Sequence, residues 1–72
     1  MTYSHMTEEE IWQGLRNTRN LLLQESDWTQ LTDNGLTDSD RSAWQTYRTE
    51  LRNLPANTTD PSEPDWPEKP QN

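Results

Sequence analysis

Apolar positions fall into two helical stripes separated by a polar break. Over residues 7–26, Ile11, Leu15, Thr18 and Leu22 share one face at helical spacing, with Trp12, Arg19 and Leu23 beside them. Thr7 followed three residues later by Glu10 has the spacing of a capping box, in which hydroxyl and carboxylate each take an orphan amide proton. Glu8, Glu9 and Glu10 also place negative charge at the positive end of the helix dipole. Gly14 is the weak residue inside, costing about 1 kcal/mol relative to alanine. The pattern predicts a first helix.

The second stripe begins after Leu36. Thr37, Ser39 and Asp40 are capping residues, and Trp44, Tyr47, Leu51 and Leu54 follow on one face. Pro55 is expected to end this helix, because a proline pushes the residue before it out of the helical region. Arg48 and Arg52 fall in the last turns, where positive charge suits the carbonyl end.

Residues 27–36 connect the helices and are too apolar for a bland linker. Trp28 and Leu31 are anchors, and Asn34-Gly35 is a turn signal because both residues tolerate positive φ. The connection is expected to fold back and pack Trp28 on both helices. The five prolines lie in residues 55–72, the last four at every third position, which keeps one face of a polyproline II helix in register. This stretch reads as an extended tail, either free or laid along the hairpin with Trp66 as an anchor.

The expected fold is therefore all-α: a two-helix antiparallel hairpin over residues 7–54 with an ordered Trp-containing loop. A flexible start (1–6) precedes it, and an acidic proline-rich tail (55–72) follows. Ile11, Leu15, Leu22, Trp28, Trp44, Tyr47 and Leu51 form the expected core. The stripe of Trp44, Tyr47 and Leu51 has a second reading as a partner-binding face, since Trp, Tyr and Arg are enriched at binding hot spots. Core is preferred because so little other apolar material exists.

Composition sharpens this picture. The chain has 72 residues, with 13 acidic against 6 basic side chains, a net charge of −7 and only 26% hydrophobic residues. That balance approaches the disorder boundary, so the hairpin is expected to be marginal as a monomer. Self-association or a larger partner would supply the missing apolar contact. The absence of cysteine removes disulfides, thiol redox chemistry and thiolate metal sites. No apolar run reaches membrane-spanning length, and no basic start leads into an apolar signal segment. Maturation in a cytoplasm fits.

Candidate chemistry is thin. His5 has no second histidine or cysteine to share a zinc ion with, and reads as a solvated terminal residue. The serines lack a local base partner or a glycine-rich elbow, so no enzyme activity and no cofactor are expected. Asp33, Asp38 and Asp40 miss the calcium-loop spacing and are better explained as turn and cap residues. Asn57-Thr58-Thr59 matches a glycosylation sequon, a triplet common by chance. The acids permit one sharper idea, an imitation of the DNA phosphate array that blocks a host DNA-binding protein. Their clustering at helix starts and in the tail favours caps and a solvated tail, and direct nucleic-acid binding is disfavoured by repulsion from phosphate.

Trp12, Trp66 and the exposed arginines Arg19, Arg48 and Arg52 are the better interface candidates. Arg16, Arg19, Arg48 and Arg52 are also placed to pair with Asp27 or Asp33 in the loop. Exposed pairs of that kind are worth only about 0–1 kcal/mol each.

Arg16-Asn17, Arg19-Asn20-Leu21-Leu22 and Ser26-Asp27-Trp28-Thr29-Gln30-Leu31, with the later Trp44, Tyr47-Arg48, Leu51-Arg52, Leu54-Pro55, Trp66-Pro67 and Pro70, resemble a small domain family of tailed bacteriophages. It is known as the phage tail assembly chaperone family, and the resemblance runs from about Arg16 to Pro70. It implies a non-enzymatic protein that covers apolar surface on an unfinished tail or tail-fibre component. A permanent structural subunit of the virion tail or fibre is the alternative.

Overall fold

Capped helices frame the computed structural model, which describes residues 6–70. The first, α1 (Glu8–Glu25), opens with the expected reciprocal box: Glu10 N donates to Thr7 Oγ1 at 3.1 Å, and Thr7 N donates to Glu10 Oε1 at 2.8 Å. The second, α2 (Asp38–Asn57), opens with Asp40 N donating to Thr37 Oγ1 at 3.1 Å. Each cap satisfies an amide that the helix itself leaves without a partner. A short 3-10 helix, Asp27–Gln30, and a bend at Gly35 (φ +78°) lead from α1 back into α2. The two helices pack against each other and against the 3-10 helix, giving the all-α hairpin. His5 and the rest of residues 1–5 lie outside the described residues.

α2 does not stop before Pro55 but continues through it to Asn57. A proline forfeits one intrahelical amide, and its cost is greatest mid-helix. Pro55 lies in the final turn, where Thr58 caps the carbonyls at the helix end. Thr58 Oγ1 donates to Leu54 O at 2.6 Å, and Thr58 N donates to Pro55 O at 3.4 Å.

Among the described residues Leu15, Trp44, Tyr47, Leu51 and Leu54 form the buried hydrophobic core, and Leu51 is fully enclosed. Leu22, Leu23, Leu36 and Trp66 pack partly buried against the cluster of Trp44, Tyr47 and Leu51. Edge-on aromatic contacts stiffen that cluster, with Trp44 and Tyr47 centroids 5.6 Å apart at 83°. Ile11 is only half-buried.

Trp28 departs from its expected core position. It touches the Trp44 ring edge-on at 5.9 Å, yet remains 43% exposed. In a 3-10 turn, adjacent side chains point to different sides. Here the inward position goes to Thr29, which is fully buried.

After α2 the chain reverses at Asp60-Pro61-Ser62-Glu63. Asp60 Oδ1 accepts from Ser62 N at 3.0 Å and Ser62 Oγ at 2.7 Å, while Glu63 N donates to Asp60 O at 3.0 Å. Proline suits the second position of such a turn because its φ is already set. Pro61 is buried, and Trp66 returns to the core cluster.

Candidate protein-interaction surface

The closed end of the hairpin is built around one arginine. Arg48 Nη1 donates to Leu23 O and to Ser26 Oγ, both at 2.7 Å, while Nη2 pairs with Asp27 Oδ1 at 3.0 Å. Ser26 is buried and passes its own proton to Leu22 O and Leu23 O, each at 3.0 Å. Thr29 Oγ1 then donates to Ser26 O at 2.6 Å. Carbonyls that α1 leaves free at its C-terminus are thus taken by the hydroxyl of its own cap residue, Ser26, and by a cation from the other helix. The Arg48 side chain is only 14% exposed, against 66% for Asp27. Its worth therefore resides more in charged hydrogen bonds to carbonyl and hydroxyl than in the ion pair.

Asn34 fastens the other side of the loop. Its Nδ2 donates to Thr29 O at 2.9 Å and Leu31 O at 2.8 Å, with a further contact to Trp28 O at 3.1 Å. Its Oδ1 accepts from Leu36 N at 3.0 Å. Gly35 then takes the positive φ that a side chain would resist. Asn34-Gly35 was legible as a turn, but the clamp of Ser26 and Thr29 was not. Small hydroxyl residues after a helix are ordinary on the surface, and only burial gives these their role.

On this pinned backbone stand Trp28 and Leu31, 43% and 62% exposed, with Leu21 53% exposed on α1. None of the three was among the expected interface residues. Trp12 is half-buried and lines a cleft of about 580 Å³ at the open end, with Arg16, Pro55 and Ala56. Arg19 is held by its neighbour, donating from Nε and Nη2 to Asn20 Oδ1 at 3.1 and 2.8 Å. Arg52 is exposed and donates to Thr49 Oγ1 at 3.2 Å. Arg48 and Trp66, also expected at an interface, both make contacts within the hairpin, and Trp66 is only partly buried there. Each reaches an apolar or carbonyl-rich site that only the folded hairpin creates.

The Tyr47 and Asp60 side chains are shifted from their ordinary pKa values. Burial raises the Tyr47 phenol above its ordinary value, and the nearby Glu25 charge adds to this. The Asp60 carboxyl is lowered by the two hydrogen bonds from Ser62. Among the described residues no group of three His, Cys, Asp or Glu side chains is placed to hold a metal ion. No described helix is long and apolar enough to cross a membrane.

Residues 12–71 match the family described as phage tail assembly chaperone protein. No curated protein and no solved structure matches the chain. The matched span takes in the Arg48 clamp, the Asn34 loop, the core stripe of α2 and Trp66. By that match over most of its length, the chain belongs to the phage tail assembly chaperone family.

Proposed function

We propose that this chain is a non-enzymatic chaperone of tail or tail-fibre assembly, acting through protein–protein contact at the closed end of its hairpin. A role in phage tail assembly comes with the family. The observation that carries the finer reading is the pairing of exposed Trp28 and Leu31 with a backbone fixed by Arg48, Ser26 and Asn34. Apolar side chains on an already ordered loop lose little backbone entropy on binding, which is what a hot spot requires. The partner is an unfinished tail or tail-fibre protein whose apolar surface is covered until assembly. The net charge of −7 keeps such complexes apart from one another. Self-association through the same residues is the competing use of this end. The work is done in the host cytoplasm during assembly and calls for no cofactor.

Mass spectrometry of purified virions, beside a pull-down from infected-cell lysate, tests the reading. A chaperone co-purifies with a tail or fibre protein from lysate and is missing from finished particles. Fixed copies in the virion tail would instead make the chain a structural subunit. Absence from both would overturn the assembly reading and bring forward the acidic inhibitor of a host DNA-binding protein. Trp28→Ser with Leu31→Ser is expected to abolish capture while the chain remains helical by circular dichroism.

A further inference from the structure

We propose that the groove between the C-terminal half of α2 and the returning tail seats an arginine-bearing segment of the protein this chain helps to assemble. The proposal rests on the assembly reading above but uses a different surface. The groove encloses about 550 Å³, enough for more than one side chain. Every charged residue lining it is acidic: Glu50 on the helix wall, and Asp60, Glu63 and Asp65 on the tail wall. The ion pairs among the described residues, Arg41–Asp38 and Arg48–Asp27, both lie elsewhere. Four acidic residues thus line one groove, and among the described residues no cation lines it with them.

Charge alone would describe a solvated acidic tail, but this groove also has a fixed shape and an aromatic wall. Trp66 lines it while packing against the core cluster, so its ring is held rather than free. A held aromatic ring beside acidic residues suits a guanidinium, which can pack on such a ring while its edges donate to carboxylates. The buried Leu54 and the amides of Asn53 and Asn57 complete the helix wall, offering apolar contact and hydrogen bonds to an arginine stem and its backbone. The Asp60 turn holds the tail wall in place through Ser62. A metal ion fits less well, since no three of these acids converge as ligands. Nucleic acid is repelled by the same charge.

The test uses the full chain and a short acetylated, amidated peptide carrying two arginines, with citrulline replacing both in the control. Binding is followed by NMR at the Trp66 indole and the Asn53 and Asn57 amides. We expect saturable shifts there that weaken steeply as salt is raised through about 0.1 M. The citrulline peptide should leave those signals unmoved. Glu50→Gln with Glu63→Gln and Asp65→Asn should weaken binding about tenfold at an unchanged melting temperature. The proposal is overturned by no shift at millimolar peptide, or by equal shifts around Glu8, Glu9 and Glu10. Equal binding of the citrulline peptide or by the triple variant would overturn it as well. Pull-down of the tail protein separates this idea from the one it rests on. A triple variant that captures that protein as well as the wild type sinks the groove alone, whereas a wild type that captures none sinks the assembly reading.

Discussion

Arg48 Nη1 lies 2.7 Å from Ser26 Oγ, so a cation carried by α2 closes the carboxyl end of α1. The same nitrogen reaches Leu23 O, and the neighbouring one holds Asp27. Ser26, Asp27, Thr29, Tyr47 and Arg48 are all among the residues by which the chain resembles its family. In the folded chain Ser26, Asp27, Thr29 and Arg48 build the joint between the helices, while Tyr47 is buried in the core. Trp28 and Leu31, from the same run, are left outside on that joint. A stretch that reads as one motif thus divides by orientation into structural and exposed residues.

Arg48→Met should destabilise the hairpin by roughly 2–3 kcal/mol, because it strips a charged donor from a carbonyl and a buried hydroxyl. Arg48→Lys keeps the charge but not the fork and should recover only part of the loss. Urea unfolding of both, with Ser26→Ala in a double-mutant cycle, reads the coupling directly. Additive effects would remove the clamp from the account.

The tryptophans should rank by enclosure. Trp44→Ala is expected to cost roughly 3–5 kcal/mol and unfold a domain of this size. Trp66→Ala, losing a partly buried ring that covers the core, should cost about 2 kcal/mol. Trp28→Ala should cost less than either, since the ring is already 43% exposed. Circular dichroism melts of the three variants supply the order, and an unchanged melt for Trp44→Ala would move the stripe of α2 from core to interface.

Gly14→Ala should stabilise the protein. A Cβ at this position meets nothing within 4 Å, and the glycine lies inside α1. Removing its backbone freedom is worth about 1 kcal/mol. For a chain this short, that corresponds to a melting temperature raised by about 4–8 °C. If the melt rises and capture of the tail protein falls, the bare helix surface at Gly14 is used by the partner.

Stability should decline at both pH extremes for separate reasons. The Tyr47 phenol is raised in the folded state, so the unfolded chain ionises first. Its contribution is intact below the ordinary value of about 10 and is lost as pH rises beyond it. Tyr47→Phe should flatten that alkaline limb. The Asp60 carboxyl is lowered, so its contribution is present above the ordinary carboxylate value and lost as pH falls through the folded one. Ser62→Ala should reduce the acidic limb, and a pH series of thermal melts on the three proteins checks both.

The two helices, their N-terminal caps and the stripe of Trp44, Tyr47, Leu51 and Leu54 were legible in the sequence. Those features depend on spacing within one turn, which a linear reading captures. Asn34-Gly35 was legible for the same reason, since a turn is also a local preference. The pairing of loop acid with helix arginine was anticipated too, although as an exposed ion pair of small value. What the sequence could not assign is which side chain of each local pair faces inward. Thr29 rather than Trp28 enters the core, and Arg48 is consumed at the end of α1. α2 runs through Pro55 for only two more residues before Thr58 caps its end. Trp66 crosses back onto the hairpin and packs against the core cluster. These outcomes depend on where distant carbonyls, rings and hydroxyls arrive once the chain is closed. No spacing along the chain records that arrival, and the tertiary structure alone decides it.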